Sequence, residues 1–213
     1  MVDTAEQSAG TGTEGLPRRF ASRGPFTVAS PCGGHAHSHD LAATMIVVRA
    51  TAKLRAVLGA QAQAQDRVDP GRSDSDWYAN LLHIQRRKCL LVTHAGTLFS
   101  VFSPDVRAGQ LRPFGPFLVA RIAAELDAEG LPGNALGELD GDRVTITGTA
   151  GGRSVVGCMT DLALTCRLAV EHAGGLAWLD LDALHHVLHR HIYAARDYVP
   201  AVDLIPGSPP SQP

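Results

Sequence analysis

Residues 77–102 read WYANLLHIQRRKCLLVTHAGTLFSVF, and this stretch decides the fold. Residues 80–84 and 89–93 are short aliphatic runs separated by the polar Gln85, Arg86, Arg87 and Lys88. Runs of this length, bounded by polar turns, predict paired β-strands. His94, Ala95 and Gly96 then supply a Gly-containing turn into a third strand over 97–102. Three strands joined by short turns form a β-meander. Its most distinctive side chains, Leu81, Leu82, Ile84, Leu90, Leu91, Phe99 and Phe102, are core types. The stretch therefore speaks for a fold class and not for an activity.

Working outward, Met45, Ile46, Val47 and Val48 make a short buried-strand pattern, expected at an edge of the meander sheet or beside 144–147. A helix follows, with Thr51 as N-cap and Leu54, Val57 and Leu58 on one face. Residues 59–75 read as a polar connector. Downstream, a helix over 113–129 places Phe114, Phe117, Leu118, Ile122 and Leu126 together. Residues 142–147 alternate and predict a half-exposed strand. A helix over 154–172 turns Val155, Met159, Leu162, Ala163, Cys166 and Val170 inward, and Gly174 and Gly175 stop it. A last helix over 182–194, capped by Asp180 or Asp182, is expected to bury Leu184, Val187, Leu188 and Ile192. Strands and helices are segregated, so the expected class is α+β: a small antiparallel sheet built on the meander and packed against three helices.

Length and composition bound the rest. A chain of 213 residues suits one domain with tails, here 45–205. Residues 1–44 are poor in aliphatic side chains and show no period; they are expected to be a disordered extension, or to precede a translation start at Met45. The tail over 206–213, PGSPPSQP, is expected to be disordered by composition. A net charge of −2 disfavours binding of duplex nucleic acid through the overall field. Cys32, Cys89, Cys158 and Cys166 form no CxxC pair, which suits a reducing compartment. No apolar run approaches the roughly 18 residues of a membrane span, and no apolar h-region follows the N-terminal arginines. A cytoplasmic protein is expected.

The order W-[YH]-A-N-L-L-x-I-x-R-R-K-C, met here from Trp77 to Cys89, continues as T-L-F-S-V-F and then V-T-I-T…R-S-V-V-G-x-M-x-D-L-A. It resembles an uncharacterised bacterial family of short proteins built on a domain of unknown function. The resemblance covers about 45–205 and implies a shared fold with a start equivalent to Met45. It implies no activity, and it carries no catalytic residue over to this chain.

Four groups of residues carry candidate chemistry. Arg86, Arg87 and Lys88 form a basic turn that can contact phosphate or an acidic partner, with Trp77, Tyr78 and His83 available for stacking. Against this, charged turns also serve as plain solvated ends, and Trp77 and Tyr78 suit closure of the core. Gly151, Gly152, Arg153 and Ser154 join a strand to a helix N-terminus, an arrangement that suits an anion. No Gly-Lys-Ser/Thr makes it a Walker loop, and Val156 stands where a nucleophile elbow needs Gly. The plain alternative is Ser154 as an N-cap.

His185 and His189 are spaced i, i+4, as in zinc helices, but His186 stands where HExxH has Glu. Solvated surface histidines are the expectation there. Cys32, His35, His37, His39 and Asp40 resemble a soft-metal chelate, or a stretch that binds metal adventitiously. Asp161 lies one position from a helix core face and is expected to need Arg153 or Arg86 as partner. No paired carboxylates and no Ser-His-Asp or Cys-His set can be read from spacing, and no cofactor is expected.

The leading expectation is a small non-catalytic interaction or regulatory domain that contacts protein or nucleic acid through the 86–88 turn. The alternative is an enzyme or anion-binding domain using the 151–154 helix N-terminus, with Asp161 or His83 nearby. The first needs the basic residues on one exposed face beside Trp77 or Tyr78. The second needs Arg153, Ser154, Asp161 and a histidine in one concavity.

Overall fold

The computed structural model describes residues 45–63, 71–149 and 152–208. The extension over 1–44 with its Cys32 to Asp40 cluster, Gly151, and residues 209–213 of the tail lie outside the described residues.

Five strands make one sheet in the order β4-β3-β2-β1-β5. They are β1 (Ile46–Ala50), β2 (Trp77–Ile84), β3 (Arg87–His94), β4 (Ser100–Ser103) and β5 (Val144–Gly148). β2, β3 and β4 are the antiparallel meander, in register from Trp77 against His94 to Ile84 against Arg87. β1 runs parallel to both β2 and β5. The sheet is thus mixed and not purely antiparallel. The reason is connectivity: hairpins reverse a strand, whereas a crossing helix returns the chain in the same direction. α1 (Ala52–Leu58) and the short α2 (Ala60–Gln63) lie between β1 and β2, and α3 (Phe114–Ala128) carries the chain from one edge, β4, to the other, β5. Of the two placements expected for β1, the one beside 144–147 holds.

The pleat divides the side chains between two cores. Ile46, Val48, Trp77, Leu81, Leu90 and Ile146 pack under Leu54 and Leu58 of α1 and Leu118, Ile122 and Leu126 of α3. Tyr78, Leu82, Cys89, Leu91 and Phe102 pack on the other face, under α4 (Arg153–His172) and α5 (Leu181–His189). The sheet is the middle of three layers. α3 approaches the loop before β5 at Gly115, where a Cβ would overlap the Gly141 carbonyl oxygen. On the α4 face the Arg49 side chain is fully buried, and its Nε donates to Asp76 Oδ2 at 2.6 Å.

Two elements depart from expectation in ways that matter for function. The first meander turn is only two residues long. Gln85 and Arg86 take φ values of 48° and 64°, the left-handed pair whose twist matches the flanking strands. Arg87 and Lys88 already belong to β3. The last helix stops at His189, short of 194, and Val187 and Ile192 are exposed. α5 instead buries Leu184, His185, Leu188 and His189. Asp180 caps it, accepting from Ala183 N at 2.9 Å.

Candidate functional site

The partner-binding set does not come together. Trp77 and Tyr78 are 1% and 2% exposed, and they sit at the start of β2, the opposite end from the basic turn. Arg87 and Lys88 are consecutive strand residues, so their side chains leave opposite faces of the sheet. Arg86 projects from the turn itself, and Arg87 reaches Asp105 at 3.4 Å in an exposed contact.

Tyr78 belongs to a different place. Its ring and hydroxyl pack against Gly152, where a Cβ would overlap them. Gly152 is the N-cap of α4 and has no side chain to satisfy the helix, and Ser154 makes no capping bond. The first intrahelical acceptor is used only at Val156, whose N–H donates to Gly152 O at 2.9 Å. The amides of Arg153, Ser154 and Val155 precede it and face the end of a helix 20 residues long. A cavity of about 330 Å³ opens there, lined by Gly152, Arg153, Ser154, Tyr78, Ser73, Arg72 and Arg196, with Asp74 as its carboxylate. Arg196 is anchored by its Nη groups, which donate to Ala195 O and Ala95 O. Sequence reasoning found Gly152, Arg153 and Ser154 but missed Arg72 and Arg196. No spacing rule connects Arg196 to a helix that begins so far upstream.

Asp161 and His83 line a separate cavity of about 390 Å³ with Lys53, Asn80, Leu164 and Arg167. Arg153 and Ser154 are not part of it, so the four groups required of an enzyme do not converge. Asp161 is exposed, which removes the expected need for a buried partner.

The histidine helix is the largest surprise. His185 and His189 are 3% and 0% exposed, not solvated. β4 is an edge strand, and its outward backbone groups need partners. Phe102 N–H donates to His185 Nε2 at 2.9 Å, Phe102 O lies 3.1 Å from the same nitrogen, and the other ring nitrogen is Nδ1. That nitrogen lies 2.8 Å from Glu125 Oε2, an ion-pair distance without hydrogen-bond alignment. His189 Nε2 meets Ser100 O at 2.9 Å, and its Nδ1 meets Glu129 Oε1 at 2.8 Å. Both of those partners are acceptors, so the arrangement suits a ring donating from both nitrogens. Phe99 stacks on His189 at 4.0 Å between centroids, and His185 lies parallel beyond it at 5.7 Å.

Glu125 in the last turn of α3 and Glu129 at its C-cap thus match two histidines one turn apart on α5. Arg121 braces Glu125 at 3.2 Å, and Arg190 holds Glu129 through both oxygens at 3.1 and 3.0 Å. The hydrogen bond from His189, with Arg190 beside it, holds the Glu129 carboxyl down at about 2 against the opposing effect of burial. All four ring nitrogens already face protein groups, and among the described residues no group of three or more His, Cys, Asp or Glu is placed to hold a metal ion. The matching i, i+4 pairs were visible in the sequence; their pairing across elements was not.

Burial also shifts titratable groups away from these sites. Burial pushes the Cys166 thiol up to about 12 and lowers His94 to about 4. His94 Nδ1 accepts from Thr97 N–H at 3.3 Å, in keeping with a neutral ring. Tyr193 donates to Cys158 O at 3.3 Å, and burial pushes its hydroxyl upward. No helix among the described residues is long and apolar enough to cross a membrane.

No curated protein and no solved structure matches the chain. A family model does match, over residues 47–204, from the second residue of β1 to beyond α5. By that match the chain belongs to the family of the domain of unknown function DUF6933.

Proposed function

We propose that this domain is a non-catalytic anion-binding module, and that its site is the cleft at the N-terminus of α4. The observation carrying this reading is the meeting of Arg72, Arg153 and Arg196 around the end of a 20-residue helix whose N-cap, Gly152, has no side chain to cap it. Helix-end amides and guanidinium groups both favour negative charge, and the charge-assisted bonds they make are the strong ones. About 330 Å³ suits a small molecule bearing a phosphate or carboxylate, at the low end of ordinary ligand sites. Asp74 on the rim disfavours ligands carrying further negative charge and favours one with a hydroxyl or amine beside its anionic group. The partner of the domain is then this small anion, and regulation through its binding follows more naturally than contact through the 86–88 turn. We place the domain in a bacterial cytoplasm, on the resemblance of its motifs and on the unbridged thiols of Cys89, Cys158 and Cys166.

Titration with inorganic phosphate, followed by amide chemical shifts, tests the proposal. Shifts confined to Arg153, Ser154, Val155 and their neighbours are expected. Arg153→Ala should weaken binding about 10-fold or more, the loss of one charge-assisted contact. No saturable shift at these amides, or equal binding by the variant, would overturn it.

A further inference from the structure

β1 covers only the first part of β2. The two strands pair from Val48 against Trp77 to Ala50 against Ala79, and Thr51 N–H then donates to Ala79 O at 2.9 Å. β2 runs on from Asn80 to Ile84. Backbone groups of successive strand residues point to opposite sides. Ile84 pairs with Arg87 across the two-residue turn, so Leu82 and Asn80 also bond β3. Leu81 and His83 therefore present their N–H and C=O groups to the side that β1 has left. No described residue forms a hydrogen bond with those four groups. Leu81 is 2% exposed with its side chain in the core under α1 and α3, so a buried donor and a buried acceptor stand without a protein partner. Folded chains rarely leave such groups unanswered.

Asn80, Leu81 and His83 line the cavity of about 390 Å³ described above, with Lys53 of α1 on one side of the sheet and Asp161 and Arg167 of α4 on the other. The Lys53, His83, Asp161 and Arg167 side chains are exposed and make no ion pair or hydrogen bond with a described residue. Two cations and a histidine are thus set against one carboxylate. We infer that this cavity takes an extended acidic peptide segment of a partner protein, which continues the sheet where β1 leaves it. A peptide residue in a strand offers its own N–H and C=O together, and these sets recur at roughly 6.6–6.8 Å, the two-residue interval from Leu81 to His83. A strand already built into another sheet arrives with its flanking layers and does not enter between α1 and α4; a single segment does. The excess of positive charge selects acidic side chains on that segment. This site shares no residue with the cleft at the N-terminus of α4 and does not rest on it.

Titration of the full chain with the capped peptide Glu-Val-Glu-Val-Glu, followed by amide chemical shifts and hydrogen exchange, tests the inference. Saturable shifts of the Leu81 and His83 amides are expected, with exchange of both slowed about 10-fold or more at saturation. Two forms of the peptide, N-methylated at its odd or at its even residues, separate strand addition from adhesion to the surface. One phase removes the N–H groups that face β2 and should bind about 10-fold more weakly; the other should bind like the parent. The same peptide with Lys for Glu should bind wild type about 10-fold more weakly, and Lys53→Glu/Arg167→Glu should reverse that preference. Both substitutions are at exposed positions, and circular dichroism checks the fold. No saturable shift at the two amides, equal binding by the two methylated phases, or an unchanged charge preference in the variant would overturn the inference.

Discussion

His185 Nε2 lies 2.9 Å from the backbone nitrogen of Phe102, so an imidazole from the last helix stands where a neighbouring strand would otherwise pair. With His189 on Ser100 O it completes the open side of β4. Edge strands are often blunted by charge or proline; here two histidine side chains occupy the backbone groups directly.

His185→Ala is expected to lower stability by about 1–3 kcal/mol, the cost of leaving a buried amide without its partner. His185→Gln, which can still accept there, should lose less. Urea denaturation measures both. The Ala variant should also aggregate faster on partial unfolding, read by light scattering. Equal stability of the Ala variant and wild type would falsify the capping role.

Acid should weaken the fold in two steps. His94 has its pKa lowered to about 4, so the unfolded chain binds its proton first, and stability contributed by the neutral ring declines as pH falls from about 6.5 towards 4. Glu129 is lowered to about 2, so its contribution, complete above the ordinary value of 4.5, is lost as pH falls from there towards 2. Melting temperatures between pH 7 and pH 2 follow both windows. His94→Phe should flatten only the upper one, and Glu129→Gln only the lower.

Asp76→Ala should cost about 3–5 kcal/mol, because it removes a buried carboxylate that meets the fully buried Arg49 guanidinium at 2.6 Å. The double variant Arg49→Met/Asp76→Leu should be more stable than Asp76→Ala alone, although it carries one more substitution. Guanidinium denaturation of both variants is the measurement, and a double variant no more stable than Asp76→Ala is the result against it.

Three glycine-to-alanine changes should differ in sign. Gly157→Ala adds a methyl into open space on α4 and should stabilise by about 0.5–1 kcal/mol. Gly152→Ala pushes on the Tyr78 ring and should cost about 1–3 kcal/mol, with phosphate binding weakened as Tyr78 shifts. Gly115→Ala meets the Gly141 backbone, which has less room to move, and should be the worst of the three.

Much of the fold is legible in the chain because local pattern and tertiary packing agree. The meander, the faces of α3 and α4, and the Asp180 cap all follow from spacing and side-chain type. β1 was readable as a strand but not as a parallel one. Direction depends on what connects it to β2, and the polar text of 59–75 gives no sign of that. The inward face of α5 was misread for a physical reason: hydrophobicity alone ranks Val187 and Ile192 above His185 and His189. The helix faces a strand edge that needs hydrogen-bond partners more than it needs methyl groups. The anion cleft was half visible. The helix end is a local feature, whereas Arg72 and Arg196 reach it only through folding.

The His185 to Phe102 and His189 to Ser100 contacts join residues 83 and 89 positions apart. A ribosome adding roughly 5–20 residues per second needs about 4–18 s to cover that interval. Throughout it, β4 has left the tunnel with one side of its backbone unanswered and the meander already able to pair. The nascent chain therefore passes through an interval in which its own half-built sheet is open to a neighbour on the same message. The arrival of α5 closes it, which makes the C-terminal helix the step that protects synthesis as well as the one that completes the sheet.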